Sequence, residues 1–373
     1  MPRFFRPLLL LTPIVVVAAE ITARVDDQIR YGVPFASTPD SRDLTIEDSL
    51  GTRGRPRARY KGWQLNNHGF RGPDVTPQPA RGCTRVMVLG ASETFGYYET
   101  PGKEYPAQLA DSLQDAGCVD VINAAVAGMG LRQQVRMWEN HASRFRPDYV
   151  VIYPTPLFYL RSDTSAQSAA DVVASADPAR SIRPRLIERA KDVIDVPRAI
   201  QRQRILRWIA AETTGRSEDW FFSTPPAHRL DRFIRDLDRL VTAVRASGAT
   251  PVLATHAMRF TIPPHPDDEF MLLAWRQFTP RARPDVMLAF EMQAAQRMRE
   301  YAADNDIALI DIARRMTGRR EHFADFIHFN DEGAAVVAGT MAKDLRRLGV
   351  AAGPASRERP MVSAARPTPR TEH

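Results

Sequence analysis

The stretch that decides the fold is Arg85-Val-Met-Val-Leu-Gly-Ala-Ser92, which runs on into Glu93-Thr-Phe-Gly96. Its short apolar run is typical of a fully buried strand, because a strand covered on both faces shows no polar alternation. The glycine and serine that follow predict a sharp turn. The sequence therefore places a hydroxyl group at the tip of a turn where a buried strand ends.

Similar apolar runs recur along the chain, at residues 119–123, 149–153, 251–255 and 308–311. Candidate helices separate them, at residues 104–116, 131–145, 226–247, 286–305 and 331–348. Strands that alternate with helices predict an α/β fold in which a parallel sheet is flanked by helices, giving three layers. Functional residues of such folds gather at the carboxyl ends of the strands, where Ser92 lies.

A motif near the C-terminus supplies the partners that a serine nucleophile needs. Asp325-Phe-Ile-His328 places a carboxylate and an imidazole three residues apart, on one turn. A serine hydroxyl needs a base to take its proton, and histidine suits this task because its pKa lies near neutrality. A carboxylate then holds the imidazole in the required tautomer. Singly these residues are typical of turns and caps, but together they form a candidate triad.

Three blocks, in this order, resemble the SGNH (GDSL-type) hydrolases. Gly90-Ala-Ser92-Glu-Thr-Phe-Gly96 is similar to the first block, Asn123-Ala-Ala-Val-Ala-Gly128 to the second and Asp325-Phe-Ile-His328 to the last. The segment Asn66-Asn-His-Gly-Phe-Arg-Gly72 is similar to the entry segment of exported bacterial members. The resemblance runs from about residue 63 to about residue 348 and implies the flavodoxin-like fold of this superfamily.

The resemblance also implies a role for each residue. Ser92 would be the nucleophile, His328 the base and Asp325 its orienting partner. The backbone N–H groups of Ser92 and Gly128 would form the oxyanion hole. These roles imply a hydrolase acting on ester bonds, with no cofactor and no metal ion.

One block departs from the family pattern. After the third strand the family has Gly-x-Asn-Asp, whose Asn side chain donates to the oxyanion, whereas this chain has Pro154-Thr-Pro-Leu-Phe-Tyr159. One lost donor costs roughly 3 kcal/mol of transition-state stabilisation. Either another group replaces the Asn, with Thr155 the nearest hydroxyl, or the acyl acceptor is not water. Alternatively, Thr155 only caps a turn between two prolines.

Composition indicates one catalytic domain with additions. The chain has 373 residues, of which 44% are hydrophobic and 25% charged, so a substantial core can form. The formal net charge is +7, carried mostly by arginine. No nucleic-acid-binding motif and no metal-ligand spacing accompany this charge. A basic surface of this kind suits an anionic saccharide.

The N-terminus carries an export signal. Arg3 and Arg6 precede an apolar run that ends near residue 19, the pattern of a signal peptide. The run is shorter than the ~20 apolar residues of a comfortable membrane span. Residues 1–25 are thus predicted to be a cleaved signal peptide or a retained anchor to the inner membrane, with a buried helix as the alternative. Residues 26–81 form an N-terminal extension, 82–350 the hydrolase-like domain and 351–373 a disordered tail.

Cys83 and Cys118 each lie just ahead of a predicted strand. If those strands are neighbours, the two cysteines share one end of the sheet. A disulfide then fits an oxidising compartment such as the periplasm or the cell envelope, and two free buried thiols are the alternative.

Two segments exceed the minimal fold. Residues 160–219 form a helical insertion, which either covers the site, lies on a membrane surface or packs without contacting substrate. Residues 256–284 read as a Pro-rich loop that either forms a wall of the substrate cleft or is solvated. In the cleft-wall interpretation, Arg259 binds an acidic group and His256 also contacts substrate.

These observations predict an exported serine esterase that acts on acyl esters, in particular acetyl esters, on a saccharide. A periplasmic O-acyltransferase for a polysaccharide, using the same triad, is the first alternative. A non-catalytic polysaccharide-binding or assembly protein on the same scaffold is the second. The substrate is predicted to be an acylated small molecule or saccharide, and no nucleic-acid partner is expected.

Overall fold

The computed structural model describes residues 5–36, 40–161, 184–193 and 196–350. Its strands are β1 (Thr45–Asp48), β2 (Gly51–Gly54), β3 (Arg59–Tyr60), β4 (Trp63–Gln64), β5 (Thr84–Gly90), β6 (Val119–Asn123), β7 (Tyr149–Tyr153), β8 (Thr250–Ala254) and β9 (Ala308–Ile310). Its α-helices are α1 (Phe5–Tyr31), α2 (Ser92–Phe95), α3 (Tyr105–Leu113), α4 (Leu131–Asn140), α5 (Arg185–Val193), α6 (Arg198–Thr213), α7 (Ala227–Ala246), α8 (Glu269–Arg276), α9 (Pro284–Asp304), α10 (Ile312–Met316) and α11 (Asp331–Arg347).

The strands β5 to β9 form the main sheet. Within the described residues this sheet has five strands, all parallel, in the order β6-β5-β7-β8-β9. The predicted α/β fold is therefore confirmed. The bounds of β6 and β7 agree with the sequence prediction, those of β5 and β8 differ by one residue at each end, and β9 ends one residue early. Because all the strands are parallel, their carboxyl ends meet at one edge of the sheet.

Side chains of β5 enter two separate apolar layers, because successive residues of a strand point to opposite faces. Met87 and Leu89 pack in the layer that contains α4, α7 and α9. Val86 and Val88 pack in the layer that contains α3, α10 and α11. Every residue of β5 is buried, which accounts for its unbroken apolar run. The helices cover both faces of the sheet, as the alternation predicted.

Residues preceding the main sheet form α1 and two antiparallel ribbons, β1 with β2 and β3 with β4. Helix α1 contacts α5 through ion pairs: Arg189 lies 2.6 Å from Asp26 and 2.9 Å from Asp27, and Arg185 also pairs with Asp27. Among the described helices, none combines the length and apolar character needed to cross a membrane. A cleaved signal peptide and a retained anchor both remain predictions.

The two additional segments are partly helical. The insertion predicted at 160–219 contributes α5 and α6, whereas its part at 162–183 lies outside the described residues, as does the predicted tail at 351–373. The segment at 256–284 contains α8, so its reading as a loop was wrong. Helix α8 has only eight residues and prolines precede it, which concealed its periodicity. Its buried side chains Leu272 and Trp275 lie three residues apart, one helical turn.

Cys83 and Cys118 are joined in a disulfide, with their Cα atoms 4.6 Å apart. Each cysteine immediately precedes a strand of the main sheet, and the next residues, Thr84 and Val119, are paired in register between β5 and β6. The disulfide therefore links the amino ends of two adjacent strands, at the edge opposite Ser92.

Candidate active site

The turn after β5 presents Ser92 as the first residue of the short helix α2. Close packing behind this turn explains the glycine at position 90. A Cβ atom on Gly90 would lie 2.0 Å from the Thr94 side-chain oxygen and 3.0 Å from the Tyr153 carbonyl oxygen. Contacts this short exclude any side chain. The sequence thus folds the end of β5 into a tight turn that exposes the serine hydroxyl.

The structure brings Ser92, His328 and Asp325 together as a hydrogen-bonded chain. Ser92 Oγ lies 2.8 Å from His328 Nε2, and His328 Nδ1 lies 2.7 Å from Asp325 Oδ2. Asp325 Oδ1 also accepts from the backbone N–H groups of Ile327 and His328, both at 2.9 Å. These bonds fix the carboxylate within its own turn, so that it orients the imidazole toward the serine.

The charges around His328 favour its protonated form. Burial alone would lower the pKa of His328, but the hydrogen bond to Asp325 and the charges of Asp325, Glu93 and Glu99 outweigh burial and raise it. Glu99 is itself buried, and burial raises its pKa to about 7. The ring of Tyr98 lies 5.3 Å from the His328 ring. An imidazole whose pKa is raised in this way is a stronger base for the serine proton.

Backbone donors lie in the same cleft. Among the described residues, no acceptor contacts the N–H groups of Ser92 and Gly128. Gly128 has a φ of +79°, in the left-handed region that favours glycine. Asn123, at the end of β6, ties this loop to the serine turn, because its side chain donates to the Thr94 carbonyl oxygen at 3.0 Å. The two unpaired N–H groups can donate to an anionic oxygen formed at the ester carbonyl.

Thr155, which sequence analysis considered as a replacement for the missing Asn, does not take that role. Its hydroxyl donates to Glu93 Oε1 at 3.0 Å, and the residue is 5% exposed and does not line the cleft. A hydroxyl has one proton, and here a carboxylate accepts it. The loop after β7 therefore presents no side-chain donor at this position to an oxyanion.

His256 was predicted to contact substrate, but it is buried behind the nucleophile. Its Nε2 lies 3.0 Å from Glu93 Oε1, and its Nδ1 lies 2.8 Å from Glu291 Oε2. Glu93, His256 and Glu291 are each 3% exposed or less. Glu93 Oε2 also lies 3.3 Å from Ser92 Oγ. We call these three side chains the buried acid–His cluster. Through Glu93, the cluster contacts Ser92 from the protein interior.

Opposite charges stabilise this cluster. Burial would raise the pKa of Glu93, but the hydrogen bond and charge of His256 overcome burial and lower it. Burial would lower the pKa of His256, but the two carboxylates overcome burial and raise it. At neutral pH the cluster therefore holds an imidazolium between two carboxylates, which satisfies both ring nitrogens.

Arg259 was predicted to bind an acidic group of the substrate, but its guanidinium is already occupied. Arg259 Nε donates to Asp268 Oδ1 at 2.9 Å, and Nη1 donates to the carbonyl oxygens of Arg320 and Phe323. The residue does not line the cleft. Arg259 thus fixes the segment before α8 to the loop that precedes Asp325.

Ser92, Gly128, Asp325 and His328 line one cleft with a volume of about 1370 Å³. Both additional segments border it: Gln201 and Ile205 come from α6, and α8 with its C-terminal flank contributes further residues. Aromatic side chains are frequent in its walls, namely Trp63, Phe95, Tyr97, Tyr98, Phe158, Tyr159, Phe270, Phe278 and Phe326. Aromatic rings in a cleft provide flat apolar surfaces for a ligand. The described residues contain no grouping of side chains suited to hold a metal ion.

Comparison with solved structures finds several similar proteins. The chain is similar to a member of the lipolytic protein G-D-S-L family from Veillonella parvula, with a TM-score of 0.42, 13% identity, and coverage of 71% of this chain and 99% of that one. It is also similar to a GDSL-like lipase from Bacteroides thetaiotaomicron, with a TM-score of 0.37, 13% identity, and coverage of 71% and 89%.

A third similar structure is an acetylxylan esterase from Geobacillus stearothermophilus, with a TM-score of 0.40, 12% identity, and coverage of 70% of this chain and 94% of that one. No family model and no curated protein matches the sequence.

Sequence analysis missed most of the buried acid–His cluster and the aromatic walls. A signal for the cluster was present, because Glu93 directly follows the candidate nucleophile within an otherwise apolar stretch. A carboxylate at such a position needs a buried cation, and His256 follows β8 on the same sheet edge. The aromatic walls come from segments far apart in sequence, so no local pattern could group them.

Proposed function

We propose that this protein is a serine esterase that hydrolyses acyl esters, acetyl esters in particular. The observation that carries the proposal is the hydrogen-bonded chain from Ser92 Oγ through His328 to Asp325, which opens into a cleft beside two free backbone N–H groups. Nucleophile, base, orienting carboxylate and oxyanion donors are the parts that acyl transfer requires.

The proposed reaction has two halves. Ser92 Oγ attacks the ester carbonyl while His328 Nε2 takes its proton, and Asp325 stabilises the imidazolium. The N–H groups of Ser92 and Gly128 donate to the oxyanion. His328 then returns the proton to the leaving alcohol, which departs as the acyl-enzyme forms. A water molecule, deprotonated by His328, then attacks the acyl-enzyme, and His328 returns the proton to Ser92 Oγ as the acid is released.

We infer that the protein acts after export, in the periplasm or cell envelope, on an acylated saccharide. The basic, apolar N-terminus and the disulfide between Cys83 and Cys118 support export. The aromatic rings in the cleft support a saccharide, whose ring faces stack well on such surfaces. A fusion of residues 1–40 to a reporter that is active only outside the cytoplasm tests the export.

The esterase proposal is tested by release of 4-nitrophenol from 4-nitrophenyl acetate. The wild-type protein should turn over, and Ser92→Ala should lose at least about 10³-fold in kcat because the nucleophile is gone. Ser247→Ala is the matched control, since Ser247 is exposed and its hydroxyl bonds only the Val244 carbonyl oxygen. Equal rates for wild type and Ser92→Ala would refute the assignment of Ser92.

A periplasmic O-acyltransferase with the same triad is the second candidate. The observation that favours it is the loop after β7, where Pro154 and Thr155 stand in place of an Asn and the Thr155 hydroxyl is bonded to Glu93. Increasing concentrations of a sugar acceptor separate the two functions. A transferase makes acetyl-sugar at the expense of free acetate, whereas an esterase releases the same acetate at every acceptor concentration.

A further inference from the structure

Arg161 lies in the wall of the cleft, just after the turn Pro156–Leu160 that follows β7. Its guanidinium lies 4.7 Å from the centre of the Phe158 ring and 5.5 Å from the centre of the Phe278 ring. Contact with two aromatic rings holds a guanidinium in place through cation–π attraction. Aromatic rings do not accept the N–H groups as a carboxylate would, so these donors remain available to a ligand.

Among the residues that the structure describes, Arg161 has no counter-ion. Within the described part of the chain, no carboxylate oxygen lies within 4.0 Å of its guanidinium. The carboxylates that line the cleft are already paired: Asp40 with Arg42 at 2.7 Å, Asp236 with Arg132 at 2.9 Å, and Asp325 with His328 at 2.7 Å. None of these acids is left to neutralise Arg161.

The surroundings of Arg161 make this missing counter-ion costly. The residue is partly buried, and burial lowers the pKa of its guanidinium, although the charge of Glu93 opposes that effect. A cation withdrawn from water without a partner is destabilised, and an anionic ligand would relieve that. Planar guanidinium groups bind carboxylates through two parallel N–H bonds, so a carboxylate is the best-fitting ligand.

Aromatic contacts also connect Arg161 to the reacting groups. The Phe278 ring lies 5.8 Å from the Phe326 ring, and the Phe326 ring lies 6.2 Å from the His328 ring. Arg161 therefore stands on the same wall as the proposed base, separated from it by two aromatic rings. A substrate that contacts both Arg161 and His328 must carry its anionic group on a different atom from the ester that reacts.

We propose that Arg161 binds a carboxylate of the substrate and thereby selects esters of acidic sugars over neutral ones. This inference rests on the proposed esterase function. Arg259, which the sequence suggested for an acidic group, is occupied by Asp268, whereas Arg161 faces the cleft. The substrate class is then an O-acetylated uronic acid, in which an acetyl ester and a carboxylate occupy one sugar unit or adjacent units.

The test compares O-acetylated glucuronic acid with its methyl ester, which lacks the charge. We expect the wild type to show a kcat/KM ratio of roughly 10-fold to 100-fold in favour of the acid, the range for a hydrogen bond to a charged group. Arg161→Met should reduce that ratio to about 1, because the thioether keeps the packing between the rings and removes the charge. Arg297→Met is the matched control, since Arg297 pairs with Asp231 at 2.9 Å and does not line the cleft, and it should keep the wild-type ratio.

A binding measurement separates this inference from the proposed function. Calorimetry on Ser92→Ala and on Ser92→Ala/Arg161→Met, titrated with glucuronic acid, needs no catalysis. Loss of binding in the double variant alone supports the carboxylate site, even if neither ester is hydrolysed. The inference is overturned if Arg161→Met keeps the wild-type ratio, or if both variants bind the acid equally. Hydrolysis that depends on Ser92 would then still support the esterase.

Discussion

The buried acid–His cluster predicts that His256→Gln destabilises the protein strongly, although His256 lies outside the cleft. In the wild type its imidazolium contacts Glu93 at 3.0 Å and Glu291 at 2.8 Å, and all three side chains are almost fully buried. Glutamine is of similar size and can donate only through its amide group. The change therefore removes the cation and leaves two carboxylates in an apolar interior.

The size of the effect follows from how the two acids respond. Removing one member of a buried ion pair typically costs about 3–5 kcal/mol. A carboxylate can escape by taking up a proton, but at pH 7 this costs about 3.7 kcal/mol for a group with an ordinary pKa near 4.3. Both routes give about 4 kcal/mol, so we expect His256→Gln to lower the free energy of unfolding by about that amount.

Urea unfolding at pH 7, followed by circular dichroism, measures this change. Arg297→Gln is the matched control, because the ion pair of Arg297 with Asp231 has a similar distance, 2.9 Å, but both side chains are nearly half exposed. Water screens that pair, so its loss should cost less than about 1 kcal/mol. The contrast between the variants tests burial and not the mere presence of an ion pair.

The pH dependence provides a second check on the same variant. The pKa of His256 is raised, so its contribution is complete below its unfolded value of 6.5 and is lost as pH rises through the higher folded value. The pKa of Glu93 is lowered, so its contribution is present above 4.5 and is lost as pH falls. The stability gap between wild type and His256→Gln should therefore narrow as pH falls below about 4.5, where the wild type loses the Glu93 contribution and the unpaired carboxyl groups of the variant take up protons at little cost. A variant that unfolds at the wild-type urea concentration, yet raises KM, would refute the reasoning and restore His256 as a substrate contact.

Further predictions concern the base and the disulfide. Since the pKa of His328 is raised and the base must be neutral, kcat/KM should rise with pH to a midpoint above 6.5. Asp325→Asn should move that midpoint to lower pH and reduce kcat by about 10⁴-fold, as measured in a pH–rate profile. Glu99→Gln should also lower the midpoint but keep most of kcat, because the Glu99 charge only helps to raise the pKa of His328; an unmoved midpoint would contradict this. Replacing Cys83 and Cys118 by serine should lower the free energy of unfolding by about 4 kcal/mol, given their separation of 35 residues, and leave the pH profile unchanged.

Much of the main sheet was predictable because its signals are local. Buried parallel strands read as short apolar runs, and the bounds of β6 and β7 follow directly from them. The positions of Ser92, Asp325 and His328 were also readable, since each sits in a short motif at the end of an element. Tertiary structure brings these three residues together. The predicted parallel topology already required the carboxyl ends of the strands to meet at one edge of the sheet.

The residues that sequence analysis misassigned share one property. Thr155, His256 and Arg259 all follow strands at the correct sheet edge, so their polar groups seemed available to a ligand. In the structure each group is bonded to a carboxylate instead, namely Glu93 for the first two and Asp268 for the third. The sequence predicts that a residue lies near the site, but side-chain packing determines whether its donors point into the interior or into the cleft.

The buried acid–His cluster also limits how such a site can diversify. Its members Glu93, His256 and Glu291, together with Thr155, which donates to Glu93, connect the ends of β5, β7 and β8 with helix α9. Because these side chains are hydrogen-bonded to one another, replacing any one of them leaves a buried charge or donor without a partner. New specificities should therefore arise by single substitutions among the aromatic and arginine side chains that line the cleft, whereas the buried residues behind Ser92 would have to be replaced together.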